Sequence, residues 1–296
     1  MRIFITGATG WVGSAVVKDL IAAGHEVAGL ARSPVGVERL TAAGAQVVSG
    51  SIEDIDVLRT AARAADAVIH TAFNHDWSRF AENCAADKHA IEALGAELEG
   101  TERPLIVTSG VALLAPGRLA TEANMAPPVT ERFPRASEAV VEELRGRGVR
   151  ATTVRLAPTV HGVGDHGFVP RLASIARDKG VSAYIGDGQN RWPAVHRLDA
   201  ARVFRLALEH TAEGPFHAVA EQGVALKDIA EAIARRFDLP LVSKAAAEAG
   251  EHFGWFAPFV GIDAPTSSDR TRALLNWKPE QLELLEDLAR PDYFAA

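Results

Sequence analysis

Apolar residues in the first half of the chain fall in short unbroken bursts, separated by longer stretches where they recur three or four places apart. Bursts of that kind predict buried strands of a parallel sheet, and the longer period predicts helices lying on it. The expected strands are residues 2–6, 26–30, 46–49, 67–71, 105–109 and 151–156, and the expected helices are 14–23, 35–43, 55–65, 78–98 and 134–147. Asp54 stands where it would cap the third helix. Gly44, Gly100 and Gly148 stand where helices should stop, because glycine enters the left-handed conformation freely. Strand and helix alternating at this spacing build right-handed crossover units, so the fold class is α/β, with a doubly wound parallel sheet of six or seven strands.

Past Leu156 the texture changes. Residues 157–167 and 184–192 are rich in glycine and polar groups, and Pro258, Pro265 and Pro279 interrupt the short helical pieces beyond Gly214. This half reads as a small, irregular lobe that binds substrate. No internal repeat or low-complexity tract is visible.

Composition narrows the class without naming it. At 296 residues, 48% hydrophobic and 23% charged, the chain has ample material for a core. A net charge of −7 argues against nucleic acid or an anionic membrane as partner. The single cysteine, Cys84, rules out an intrachain disulfide and suits a reducing compartment. No uncharged apolar run approaches the roughly 20 residues needed to cross a bilayer. The N-terminal apolar stretch runs straight into a glycine turn instead of a cleavage site, so the expected location is cytoplasmic.

That turn carries the first chemistry. Thr6-Gly7-Ala8-Thr9-Gly10-Trp11-Val12-Gly13 follows the first strand and opens a helix, the order in which a Rossmann-type domain offers a helix N-terminus to a dinucleotide pyrophosphate. Gly7 permits the tight turn, Gly10 lets backbone approach the phosphates, and Gly13 lets the helix lie close to the sheet. Thr9, Trp11 and Val12 complete the expected contact set. Residues 1–156 therefore read as a Rossmann domain and 157–296 mainly as the substrate lobe, with segments near 157–162 and 195–212 returning to the first domain. After the second strand, NAD-binding chains place a carboxylate on the adenosine ribose, which would repel a 2′-phosphate. Here Arg32 and Ser33 stand instead, a cation and a hydroxyl suited to that phosphate, so NADP(H) is the expected cofactor over NAD(H).

The glycine turn and the later phrases Val68-Ile69-His70-Thr71-Ala72, Val107-Thr108-Ser109, Arg155-Leu156-Ala157-Pro158-Thr159-Val160-His161-Gly162, Ile185-Gly186-Asp187-Gly188-Gln189-Asn190, Val195-His196-Arg197-Leu198-Asp199 and Leu275-Asn276-Trp277-Lys278-Pro279 occur in an order spread over most of the chain. The chain thereby resembles the extended short-chain dehydrogenases/reductases, the NAD-dependent epimerase/dehydratase group. The resemblance implies Ser51 and Ile52 at the adenine, with Ser replacing the family's usual Asp. It implies the backbone of His70, Thr71 and Ala72 beside the pyrophosphate and ribose, and Pro158, Thr159 and Val160 beside the nicotinamide. It also implies a homodimer through helices 78–98 and 134–147.

The same resemblance exposes a departure. Family members use Tyr-x-x-x-Lys, in which lysine lowers the tyrosine pKa and the phenol moves the proton accompanying hydride transfer. This chain has two tyrosines, Tyr184 and Tyr293, and neither is followed four places on by lysine. The equivalent stretch, Phe133-Pro134-Arg135-Ala136-Ser137-Glu138, puts Phe and Ser in the Tyr and Lys places, and either Ser109 or Gly110 holds the place of the family's serine. Phenylalanine transfers no proton. The candidates for catalysis are therefore polar residues of the loops after parallel strands: Ser109, His161, His196 and Arg191, with Asn74, His75, Asp76, Trp77, Asp165, His166 and Trp192 in the same loops and Arg135 for substrate or nicotinamide. His161 and His196 can equally be loop-stabilising elements, and Asp199 reads as structural. His161, Asp165 and His166 are chemically suitable metal ligands, but the glycines among them make the spacing uninformative and no metal is expected. Trp255, Phe256 and Phe259 can line an apolar pocket or simply fill the core. The leading expectation is an NAD(P)-dependent oxidoreductase acting on a small carbonyl-type substrate. A non-catalytic NADP(H)-sensing regulator comes next, and a nucleotide-sugar epimerase third.

Overall fold

In the computed structural model, which describes residues 1–210 and 213–294, strand and helix alternate from the first residues onward. The order is β1 (Arg2–Thr6), α1 (Trp11–Ala22), β2 (Glu26–Ala31), α2 (Pro34–Ala42), β3 (Gln46–Ser49), α3 (Ile55–Arg63) and β4 (Ala67–His70). It continues with α4 (Phe80–Ala96), β5 (Leu105–Gly110), α5 (Ser137–Gly146) and β6 (Ala151–Leu156). The second half adds β7 (Thr159–His161), α6 (Phe168–Lys179), β8 (Ser182–Ile185), β9 (Arg191–His196), α7 (Arg197–Glu209), β10 (Phe216–Ala218), β11 (Glu221–Ala225), α8 (Leu226–Phe237) and β12 (Leu241–Lys244).

The main sheet has seven strands in the order β10-β6-β5-β4-β1-β2-β3, and every pairing in it is parallel. The period of two along β1 explains why both faces are covered. Ile3 and Ile5 join the core beneath α1 and α7, while Phe4 points into the opposite core with Leu58, Leu94 and Leu144 of α3, α4 and α5. The chain order reverses between β1 and β4, so a crevice opens at the carboxyl ends of these two strands.

All six expected strands form. The seventh is β10, three residues long, which the burst pattern did not reveal. Helix 78–98 begins instead as a single 3₁₀ turn, Trp77–Arg79, with Asp76 as its cap. Asp54 sits at the start of α3, but its carboxylate accepts from the Ser51 amide at 2.6 Å and caps nothing within the helix. Gly44, Gly100 and Gly148 all have positive φ where helices end.

The second lobe holds a three-stranded sheet β11-β9-β7 and the pair β12-β8, packed with α6 and α8 around Val169, Trp192, Ile229, Phe256 and Tyr293. Residues 159–161 pair with β9 in this smaller sheet, and Val160 packs against the core beneath α1 and α7. Helix α7 returns to the first domain and lies on α1, and of the expected segment 195–212 the last two residues are outside those described. Asp199 ties the C-terminal segment to α7: its carboxylate accepts the amides of Glu280 and Gln281, and its carbonyl accepts Trp277 Nε1 at 3.1 Å.

Candidate active site

A large cleft of about 1700 Å³ runs along the carboxyl ends of the parallel strands and under the second lobe. Pockets for one drug-sized ligand span roughly 300–1,000 Å³, so this space suits a dinucleotide together with a second molecule.

The glycine turn forms one wall. Gly7 has φ +68°, and a Cβ on Gly13 would lie 2.1 Å from the Gly7 carbonyl oxygen, so both positions require glycine. The Gly10 amide donates to Gly7 at 2.9 Å, which closes the turn and leaves Gly10 itself open on the cleft. Helix α1 starts there with no acidic residue in its first turn, so its positive end faces the cleft uncancelled. Trp11 crosses to the second lobe, where its indole donates to the Val160 carbonyl at 2.7 Å beneath the Arg197 guanidinium, 4.2 Å from the ring centre. These features fit a dinucleotide pyrophosphate: a cradle with no side chain in the way and a helix dipole directed into it.

Arg32, Ser51 and Ile52 line one end of the cleft. Arg32 is exposed and has no carboxylate in ion-pair range among the described residues. Ser33 lies beside it, outside the lining, and caps α2 by accepting the Gly36 amide at 3.2 Å. Thr71, Ala72, Pro158 and Val160 line the middle of the cleft. Thr159 is buried behind them, its hydroxyl unpartnered.

His70 also turns away from the cleft, into a buried chain of polar groups. Its Nδ1 meets Thr6 Oγ1 at 2.8 Å and its Nε2 meets Asp87 Oδ1 at 3.0 Å. Ser137 donates to the other Asp87 oxygen at 2.6 Å, and Arg135 Nε donates to Ser137 Oγ at 3.1 Å. Burial works to raise the Asp87 carboxyl, but the His70 hydrogen bond and the charges of His70 and Arg135 outweigh it and hold Asp87 below the usual carboxylate range. The chain surfaces at Arg135, whose guanidinium also donates to the Thr108 carbonyl at 3.3 Å and covers the Phe73 ring at 4.2 Å. Arg135 therefore projects into the cleft next to Ser109, the residue after Thr108, with no carboxylate of its own among the described residues. Phe133 lines the same region. Ser137 is committed to Asp87.

Three expected catalytic residues lie elsewhere. His161 is fully buried, its Nδ1 bonded to Asp287 at 2.8 Å in the second lobe, because β7 pairs with β9 and carries it away from the main sheet. His196 caps α7 by accepting the Leu198 amide at 3.3 Å and packs edge-on against His161. Arg191 is exposed and holds Asp263 through two bonds of 3.0 Å. None of the three lines the cleft, whereas Ser109 does. The suspected ligands His161, Asp165 and His166 turn to different partners: Asp287, Tyr293 and the Trp11 ring.

Phe73, Phe80, Asp87, Met125 and Arg171 stand outside every motif of the sequence. All but Asp87 line the cleft. His75, Trp77, Trp255 and Phe259 line it as well, so the aromatic residues near the end of the chain are wall and not only filling. Burial, then the positive charges of Arg135 and His166, hold the His75 imidazole below its ordinary value.

The model of the family described as "NAD dependent epimerase/dehydratase family" matches residues 3–219. The chain belongs to that family. It is 50% identical over 298 aligned positions to an uncharacterized protein of Schizosaccharomyces pombe, with 99% of this chain and 100% of the relative covered. It is 30% identical to a 2-alkyl-3-oxoalkanoate reductase of Stenotrophomonas maltophilia, over 72% of this chain and 67% of that one. Among solved structures, MoeE5 in complex with UDP-glucose and NAD superposes with a TM-score of 0.76 at 18% identity, covering 100% of this chain and 98% of that one, and so shares the fold. The family and these relatives make the chain an NAD(P)-binding, oxidoreductase-type member of the extended short-chain group.

Proposed function

We propose that this protein is an NADP(H)-dependent reductase that interconverts a ketone and the corresponding secondary alcohol without a catalytic tyrosine. With its pyrophosphate held at the cradle, the dinucleotide would supply or accept the hydride through its nicotinamide. Gly7, Thr9, Gly10, Trp11, Val12 and Gly13 hold the pyrophosphate at the positive end of α1, and Arg32 with Ser33 meets the 2′-phosphate. Ser33 Oγ accepts the Gly36 amide, and its own hydroxyl hydrogen is left to donate. Ser51 and Ile52 flank the adenine. His70, Thr71 and Ala72 contribute backbone near the ribose, and Pro158 and Val160 border the nicotinamide, with Thr159 buried behind them.

The observation that carries the reading is Arg135, a cleft-facing guanidinium with no carboxylate partner among the described residues, fixed beside Ser109 by the Thr108 carbonyl and Ser137. Hydride addition to a carbonyl leaves charge on oxygen. Arg135 and the Ser109 hydroxyl stabilise that charge by hydrogen bonding, the task otherwise performed by a phenol. A guanidinium supplies hydrogen bonds and no proton, so the proton comes from His75 or from cleft water. The Arg191 and His161 side chains take no part.

The 2-alkyl-3-oxoalkanoate reductase supports a ketone over a sugar nucleotide as substrate. The test is consumption of NADPH with a panel of ketones, aldehydes and imines, followed by Arg135→Gln and Ser109→Ala. Turnover that falls at least tenfold in Arg135→Gln with NADPH affinity unchanged is the expected result. Tight NADPH binding without turnover of any panel member favours the sensing role instead.

A further inference from the structure

The end of the cleft away from Arg32 is walled by aromatic rings from both lobes. Trp77, after β4, lies 5.3 Å from Phe80, 5.5 Å from Phe259 and 6.4 Å from Trp255, measured between ring centres. Phe168 joins Phe259 at 5.2 Å, and Arg135 lies on Phe73. Two of these rings are unusually open for their size: Trp77 is 39% exposed and Trp255 52% exposed. Large apolar faces left open inside a cleft mark a place where a ligand covers them.

The cations at this end are freer than the acids. The acids of the cleft wall are already engaged: Glu122 with Thr271, Glu138 with Arg155, Glu142 with Arg145, and Asp165 with Tyr293. Glu53 stands at the Arg32 end. Arg171, in contrast, has no carboxylate partner among the described residues and hangs over the Trp255 ring at 5.6 Å. A guanidinium stacked on an open indole offers its planar edge of donors to a carboxylate while the indole covers an adjoining ring.

We propose that this end is a box for a flat, conjugated ring bearing a carboxylate, with the ring on Trp77, Trp255 and Phe259 and the carboxylate on Arg171. The assignment rests on the reductase reading only in placing the reacting ketone of that molecule toward Arg135. A pyranose would find few hydrogen-bond partners on these walls, and a cationic substrate would meet two uncompensated guanidiniums.

Binding is measured by calorimetry on the full chain saturated with NADPH, using 2-naphthoate, 2-naphthalenemethanol and decanoate as probes. Stacking and the charge-assisted pair together predict that 2-naphthoate binds about tenfold more tightly than either the neutral alcohol or the non-aromatic acid. Arg171→Gln should remove the advantage over the alcohol. Trp255→Leu should remove the advantage over decanoate, and Trp255→Phe should restore most of it. Both positions are exposed, so the variants fold. Decanoate binding as tightly as naphthoate, or naphthoate affinity unchanged in Arg171→Gln, overturns the proposal. Because binding is read without turnover, a protein that shows the expected probe order but reduces no ketone overturns the reductase reading alone. Ketone reduction with no preference for naphthoate overturns the box alone.

Discussion

Replacing Arg32 by alanine isolates the cofactor preference, because the structure gives this side chain nothing else to do. It is exposed and makes no ion pair among the described residues, and the cap of α2 is the Ser33 hydroxyl, so the substitution leaves no orphaned group and no loosened helix. A charge-assisted hydrogen bond contributes about 1.5–3 kcal/mol when sheltered, and exposure reduces an ion pair toward 1 kcal/mol or less. Between these limits, about 1.4 kcal/mol corresponds to a tenfold weaker Kd for NADPH. NADH lacks the 2′-phosphate and should bind Arg32→Ala and the parent within twofold of each other. Salt supplies an independent check. The screening length shrinks from about 10 Å at 0.1 M to about 3 Å at 1 M, so high salt should narrow the preference of the parent and leave the variant unmoved. Calorimetric titration of both cofactors into both proteins at both salt concentrations reads all of this. A parent that binds NADH as tightly as NADPH, or a variant that loses both cofactors equally, refutes the role given to Arg32.

Three further outcomes separate structural from chemical roles. Removing His161 with His161→Ala takes the hydrogen-bond partner from a buried Asp287 oxygen and leaves Arg290, 3.8 Å away, as the remaining ion-pair partner, so stability should fall by about 3 kcal/mol, read by denaturant unfolding. Turnover per folded molecule should persist, and its loss would return His161 to the chemistry. Arg191→Ala breaks an exposed pair and should cost less than about 1 kcal/mol with kcat unchanged, since the site of reaction is elsewhere. If His75 donates the proton, ketone reduction should rise as pH falls through a value below 6.5, where the imidazole gains its proton, and His75→Gln should abolish that rise. A rate flat across this range in the parent assigns the proton to water.

The Rossmann half was legible because its signals are local. Unbroken apolar runs such as Ala67-Val68-Ile69 are buried on both faces, and glycine is obligatory at Gly7 and Gly13, where backbone atoms leave no room for a Cβ. Strand β10 was not legible: three residues with a histidine at the centre carry no periodic signal, and His217 is tolerated there only because Ser267 and Arg155 satisfy its ring. The site divided the same way. Residues of the glycine turn line the cleft because the turn itself directs them, whereas His161 and Arg191 sit in the smaller sheet, whose pairing with distant strands turns them from the cleft. Arg135 was visible only as a lone cation. Its position depends on Asp87, 48 residues earlier in the chain, through a serine that sequence spacing put in the place of a lysine.

The aromatic wall has a practical consequence. Of the five tryptophans, Trp192 and Trp277 are sealed in the core, Trp11 is half-covered, and Trp77 and Trp255 stand open on opposite lobes. A collisional quencher dissolved in water therefore reaches chiefly the two indoles that face each other across the cleft. The molecule carries its own optical gauge: the accessibility of its emission to iodide or acrylamide reports how far the lobes stand apart, with no dye attached.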